Sequence, residues 1–393
     1  MIFYAVLCIN IKSTSGHFRL IIYDIDFDVD LLFGKIYKGV LHMSLIKVGI
    51  IGATGYVGAE LVRILSGHPK VELSVLISKS FAGKKFSDIY PSFRGVCDLV
   101  LSDMTPEQVA KNCDFVITAL PHGVSSMTVP ILLNEGVKVI DHSGDFRFRT
   151  LAPYTEAYQL EHPCPELLAE AVYGMPELYR EKLKGARLAA DPGCYPTCSI
   201  LGLAPLLSKS IIRTQGIIID AVSGYSGAGR KSELPYSYCE AAESFKPYAV
   251  SSHRHTAEIE QEFGFLAGEK ILVTFTPHLA PMKRGMCATI YCDLLPEHEQ
   301  MTEQDIHDLY TAYYRDEAFV RVLPLKVTPE TRHTAFSNRI DIAIAKDSHT
   351  GKIKVMSALD NLGKGAASQA IQTMNVMCGF EETDGLLHLV GCI

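Results

Sequence analysis

A glycine-spaced turn is the feature that most narrows what this chain can fold into. IKVGIIGA, residues 46–53, is a run of β-formers, and GATGYVG, residues 52–58, overlaps its end. AELVRILSGH, residues 59–68, then carries Leu61, Ile64 and Leu65 at helical spacing. Gly52, Gly55 and Gly58 therefore punctuate a strand–turn–helix unit, with Thr54, Tyr56 and Val57 between them. Glycine permits the tight turn and lets a pyrophosphate approach backbone N–H groups at a helix N-terminus. The alternative is a plain structural turn, against which the strand–helix context weighs.

The same rhythm continues downstream. VELSVLIS (71–78), CDFVITAL (113–120) and VKVIDHS (137–143) read as buried strands, with the helical VSSMTVPILLNEG before the last of them. Alternating strands and helices predict an α/β fold, a Rossmann-type doubly wound parallel sheet. After about residue 193 the candidate strands become longer and amphipathic: GIIIDAVSG (216–224), KILVTFTPHL (270–279) and MCATIYCDLL (286–295). TEQDIHDLYTAYYRD (302–316) reads as a long helix among them. This predicts a second, α+β domain with a mostly antiparallel sheet. The helical tail NLGKGAASQAIQTMNVMCGF (361–380) is expected to return to the first domain. The expected division is 43–192 with about 358–393 for the dinucleotide domain, and 193–357 for the second.

Net charge is −7, without the basic footprint that nucleic acid requires. The first ten residues are apolar but too few to span a bilayer, and they lack the basic start of a signal peptide. The acidic run DIDFDVD at 24–30 is unlike a transit peptide. The functional chain is expected to begin near Met43, with residues 1–42 an extension outside it, and to work in the cytoplasm. The 11 cysteines form no CxxC pair and no Cys/His cluster at zinc spacing, so no metal is expected, and most should be small core residues.

Two stretches carry chemistry. In DPGCYPTCSILGLAPLL (191–207), Pro192 and Gly193 make a turn and Pro196 suits a first helical turn, which places Cys194 at a helix start. That position favours thiolate, the nucleophilic form, and nearby N–H groups can hold an oxyanion. Cys198, one turn later, reads as core. In SSHRHTAEIEQE (251–262), His253, Arg254 and His255 precede a helical segment, and Glu258 is placed to orient an imidazole. A surface loop or a zinc pair lacking a third ligand are the alternatives.

The strand after the turn ends at Ser78, Lys79 and Ser80, where an NAD enzyme commonly carries an acidic residue. Two hydroxyls and a cation suit a 2′-phosphate, which favours NADP; a solvated loop is the alternative. SGYSGAGR (223–230), with Ser223, Gly224 and Gly227, forms either a wall of the site or a mobile loop. Arg147, Lys283 and Arg284 lie beside strand ends and can meet a substrate phosphate or carboxylate, or can be solvated charges.

Together these motifs resemble the N-acetyl-gamma-glutamyl-phosphate reductase family. The matching stretches include GATGYVGAEL, ALPHG, DHSGDFR, DPGCYPT, SGYSGAGR, HRHTAEIEQ, PHLAPMKRG and ALDNLGKGAASQAIQ, in order from about residue 46 to 387. The resemblance implies NADP(H), reduction of N-acetyl-L-glutamyl 5-phosphate through a cysteine thioester, and a second domain that dimerises, giving a homodimer or homotetramer. It implies Cys194 as nucleophile, His253 as acid/base, His255 and Glu258 in support, and Asn361 near the nicotinamide. Arg147, Arg254 and Arg284 are expected at the substrate. His142 stands in DHSGDFR where that family often has an apolar residue. The rival readings are a reductase for the substrate one methylene longer, N-acetyl-aminoadipyl phosphate, which a hydrophobic pocket separates by only about 1–3 kcal/mol, and aspartate-semialdehyde dehydrogenase.

Overall fold

The computed structural model describes residues 20–22, 25–27, 45–230 and 232–389. It divides into two compact units, Met1–Leu45 and Ile46–Ile393. Within the first, strands β1 (Leu20–Ile22) and β2 (Ile25–Phe27) pair antiparallel. The expectation for residues 1–42 otherwise lies outside the described residues.

The second unit holds two sheets. The parallel sheet contains β3 (Ile46–Ile51), β4 (Val71–Ile77), β5 (Phe115–Thr118), β6 (Lys138–Asp141), β7 (Val172–Tyr173) and β8 (Leu188–Ala190), in the order β4-β3-β5-β6-β8-β7. All five neighbouring pairs are parallel. Such a sheet must be covered on both faces, which is why its strands are continuous apolar runs. Val48, Ile50, Ile117 and Ile140 pack in one apolar cluster, and Ile51, Val75, Val116 and Val139 in another. Helix α1 (Tyr56–Leu65) begins directly after Gly55, three residues earlier than the apolar spacing indicates. Its first turn, Tyr56-Val57-Gly58, is broken by a glycine and too short to show a hydrophobic stripe.

The mixed sheet contains β9 (Ile217–Gly224), β10 (Lys246–Pro247), β11 (Val273–Ala280), β12 (Met286–Cys292), β13 (Val320–Val322), β14 (Ile340–Lys346) and β15 (Ile353–Leu359), in the order β10-β11-β9-β12-β15-β14-β13. Four of its six pairings are antiparallel. Helix α2 (Cys194–Ser208) is apolar around its whole circumference, as a helix buried on all sides must be. Its Leu203 and Leu207 share a core cluster with Ile219, Ile290 and Val355 of this sheet. Each such side chain stabilises by about 1.5–3 kcal/mol when fully buried. Helix α3 (His255–Ala267) packs beside α2, and α4 (Glu303–Tyr313) caps the expected long helical segment with a Thr302–Asp305 capping box. The tail helix α5 (Ser368–Cys378) returns to the parallel sheet, where Ala370, Ile371 and Met374 join the cluster of Val48 and Leu61.

Candidate active site

The site lies along the C-terminal edge of the parallel sheet, where ligands of such sheets bind. Strand order brings together four loop starts: the glycine turn after β3, His122 after β5, His142 after β6 and Cys194 after β8. At about 4.8 Å per strand, the turn and Cys194 stand roughly 14 Å apart across the edge.

The turn is sterically closed to side chains at its two ends. Gly52 has φ +92°, and a Cβ there would lie 2.3 Å from the Ala119 carbonyl oxygen. A Cβ on Gly58 would lie 2.3 Å from the Gly52 carbonyl oxygen. Gly55, the N-cap of α1, would meet only the Gly52 oxygen at 3.5 Å, so the space above it is open for a ligand. Thr54 Oγ1 shares a hydrogen bond of 2.8 Å with buried Ser78 Oγ, which ties the turn to the end of β4. Lys79 and Ser80 are exposed beside it, and Tyr56 and Val57 open α1. Arg230, which the sequence reading passed over inside SGYSGAGR, donates to the Thr54 carbonyl at 3.1 Å and to Tyr90 Oη at 3.1 Å. These residues fit a dinucleotide whose ribose carries a 2′-phosphate.

Cys194 is the first residue of α2, with Gly193 as N-cap, and is half-buried. Gly193 has no room for a side chain: a Cβ would sit 2.5 Å from His255 Nε2. The imidazole of His255 therefore lies directly against the residue preceding Cys194. On the other side, a Cβ on Gly365 would come within 2.8 Å of Cys194 Cβ. Gly365 belongs to the turn GKGAA (363–367) leading into α5, and its role was visible in the sequence only as one glycine among several. Cys198 is buried against Ser357, as a core residue.

The electrostatics reverse one expectation. Burial pushes the Cys194 thiol up to about 11, against the pull of the Tyr195 N–H and the Arg147 guanidinium. Lost solvation outweighs the helix N-terminus, so the thiol needs a base. The two histidines differ in what they can offer. His253 Nδ1 accepts the His255 backbone N–H at 3.1 Å, and its Nε2 lies 3.3 Å from Tyr248 Oη. Tyr248 Oη donates in turn to Tyr195 Oη, and Tyr195 Oη to the His278 carbonyl. Both ring nitrogens of His253 are thus occupied. His255 Nδ1 is buried without a partner, and its Nε2 faces Gly193. Burial lowers the pKa of His253 to about 4 and that of His255 well below its ordinary value, so both rings are neutral bases near pH 7.

Glu258 does not orient an imidazole. Its Oε1 accepts the Gly193 N–H at 2.9 Å and the Tyr173 hydroxyl at 2.7 Å, and its Oε2 accepts from Arg147 at 3.2 Å. It anchors the backbone on which Cys194 is mounted. Arg147 is likewise committed: it is buried and donates to the carbonyls of Asp191 and His142 as well as to Glu258. Its guanidinium braces the frame rather than standing free for a substrate phosphate. Arg284 pairs with Glu60 at 2.7 Å and with Asp360 at 2.8 Å while its guanidinium lies 4.2 Å over the Phe336 ring. It cross-links α1 to the loop after β15, a packing role that its position beside a strand end could not reveal. Arg254 is different. It is exposed at the N-terminus of α3 and, among the described residues, has no ion-pair partner. Ser223 is buried and Gly227 would place a Cβ 3.0 Å from its hydroxyl. Gly224 is pressed against the Met282 and Lys283 carbonyls. Asn361 accepts the Gly285 N–H at 2.7 Å and donates to Ser226 Oγ at 2.9 Å, so it pins the SGYSGAGR loop to the site.

Comparison with known proteins supports the architecture. The family models for the semialdehyde dehydrogenase NAD binding domain and dimerisation domain match residues 47–186 and 194–361. The N-acetyl-gamma-glutamyl-phosphate reductase of Acetivibrio thermocellus is 49% identical over 342 residues, covering 87% of this chain and 98% of that protein. That of Geobacter sulfurreducens is 49% identical over 343 residues, with the same coverage. Among solved structures, aspartate semialdehyde dehydrogenase II from Vibrio cholerae, complexed with ASA, has a TM-score of 0.65 at 17% identity, covering 85% of this chain and 98% of that one. The Candida albicans aspartate semialdehyde dehydrogenase, solved with NADP, has a TM-score of 0.61 at 18% identity and the same coverage, which speaks for the fold.

Proposed function

Since this chain belongs to the N-acetyl-gamma-glutamyl-phosphate reductase family, we propose that it reduces N-acetyl-L-glutamyl 5-phosphate to N-acetyl-L-glutamate 5-semialdehyde with release of phosphate, the third step of arginine biosynthesis. The observation that carries this reading is Cys194 at the start of α2, beside a buried imidazole whose Nδ1 has no partner among the described residues, on the same sheet edge as the glycine turn.

His255 takes the thiol proton, since it is neutral, unpartnered at Nδ1 and in contact with Gly193. The Cys194 sulfur attacks the γ-carbonyl, the bond from that carbon to the phosphate oxygen breaks, and a thioester remains on the protein. Gly52–Gly58 with Ser78, Lys79 and Ser80 would hold NADPH, which when bound would supply the hydride for reduction of the thioester. The carbon–sulfur bond then breaks, and His255 returns its proton to the sulfur. His253, with both nitrogens occupied, positions His255 through its backbone N–H. Arg254, whose guanidinium has no ion-pair partner among the described residues, meets a substrate anion.

Residues 43–192 with about 358–393 act as the cofactor domain and 193–357 as the catalytic and dimerisation domain. The protein works as a homodimer or homotetramer in the cytoplasm. Among the described residues, no helix is long and apolar enough to cross a membrane. The reverse assay tests the function: N-acetylglutamate semialdehyde, phosphate and NADP are supplied, and phosphate-dependent NADPH formation is expected. No NADPH from protein with an intact thiol overturns the reading. A faster reaction with the semialdehyde one methylene longer reassigns the substrate.

A further inference from the structure

The proposed chemistry leaves one proton without a carrier. His255 removes a proton from the thiol and returns it to the sulfur, so its cycle is closed. The acyl phosphate is a dianion, and its phosphate would depart as a trianion unless a second acid protonates the breaking oxygen. Neither arginine first considered is placed for that task. Arg147 is spent on Glu258 and two carbonyls, and Arg284 on Glu60 and Asp360.

A second imidazole stands at the same edge. His142 follows β6, and Asp191 follows β8; their strands are in register at Asp141 and Ala190. His142 Nδ1 lies 2.5 Å from Asp191 Oδ2. The Asp191 carboxylate is completely buried, has no other side-chain partner, and its Oδ1 is unpartnered. Three residues further on is Cys194. The imidazole is 15% exposed, and its Nε2 has no partner among the described residues. With Nδ1 turned to the buried Asp191 side chain, Nε2 is the ring nitrogen left to face outward. The other groups around His142 are the Arg147 guanidinium on its carbonyl, Asp141 before it in the chain, and His122. Asp141 is already satisfied by Thr118, Ser125 and Ser143. His122 is held neutral by burial and the nearby arginines, its pKa lowered to about 3. Among the histidines at this edge, His142 alone has a carboxylate within hydrogen-bond distance.

We propose that the Asp191–His142 pair is the acid that protonates the departing phosphate. This rests on the reductase reading above. As Cys194 sulfur bonds to carbon, the carbon–oxygen bond breaks and that oxygen takes the Nε2 proton of His142. Phosphate leaves as the monohydrogen dianion, His142 is left neutral beside Asp191, and solvent restores its proton. In reverse, neutral His142 accepts the proton of the incoming phosphate as it attacks the thioester.

The test separates the two half-reactions in reverse. Mixing wild-type protein with NADP and N-acetylglutamate semialdehyde, without phosphate, should give a burst of NADPH from acylation of Cys194. Phosphate then drives turnover. In His142→Asn the burst should keep its amplitude and rate within twofold, while kcat/KM for phosphate falls at least about tenfold, toward the lower end of a general-acid effect. Asp191→Asn, which keeps the shape and removes the charge, should change phosphate turnover in the same direction and flatten its pH profile. Phosphate turnover within twofold of wild type in His142→Asn overturns the proposal, as does a burst slowed as much as turnover. A wild type without a burst would instead sink the reductase reading. Equal melting temperatures and NADP affinities exclude misfolding of the variants.

Discussion

At the residue scale, the two histidines flanking Arg254 are chemically identical and structurally opposite. His253 has both nitrogens occupied, by the His255 N–H and by Tyr248; His255 has a bare Nδ1 and touches Gly193. His255→Asn should therefore lower kcat by roughly 10²–10⁴-fold, the size of a general acid–base effect. His253→Asn should cost less than about tenfold, since it removes only positioning. Steady-state kinetics of the two variants decide this, and the reverse ranking would return the role to His253. The raised thiol of Cys194 makes a separate prediction. A cysteine pushed up to about 11 is protonated near pH 7, so the thiolate fraction grows about tenfold per pH unit below that value. Iodoacetamide alkylation of the ligand-free protein should therefore keep accelerating from pH 7 to 10. A plateau near pH 7 would show that the helix N-terminus wins after all.

At the scale of elements, glycines decide how closely the pieces meet. Gly58 lets α1 start against the turn, and Gly193 and Gly365 let α3 and the loop before α5 close on Cys194. A methyl at Gly58 meets backbone at 2.3 Å and cannot be relieved by moving a side chain. Gly58→Ala should raise the Kd for NADPH at least tenfold, measured by fluorescence titration, while alkylation of Cys194 continues. An unchanged Kd would mean that the dinucleotide does not use this turn. The spacing of these glycines was readable along the chain wherever a strand preceded and a helix followed. Gly365 was not readable as a neighbour of Cys194, because 171 residues and a whole sheet separate them.

At the scale of the whole molecule, two of the three arginines expected at the substrate, Arg147 and Arg284, instead brace the second unit. Arg284 joins Glu60 on α1 to Asp360 after β15 and so ties the two sheets to each other. Removing one partner from a buried ionic cluster strands the others, at a cost of about 3–5 kcal/mol. Arg284→Met should lower stability by that order in urea denaturation. The remaining folded protein should keep its KM for N-acetylglutamate semialdehyde within about threefold. A large KM change at unchanged stability would restore the substrate role.

The sequence by itself determined the alternation of strands and helices, the cofactor turn and the helix start bearing Cys194. Those properties depend on neighbours a few residues apart: apolar periodicity, glycine spacing and the fixed φ of proline. Only the tertiary structure decided which side chains are free to react. Arg147, Arg284 and Glu258 carry the same charges as reactive groups, yet partners brought from distant parts of the chain occupy them, and His253 is occupied by Tyr248 and the His255 N–H once the loop before α3 folds back. Among the described residues, His255 Nδ1 and Arg254 are left without partners, and His142 is set beside buried Asp191, for the same reason: hydrogen-bonding capacity is spent by contacts in space, which local sequence does not specify.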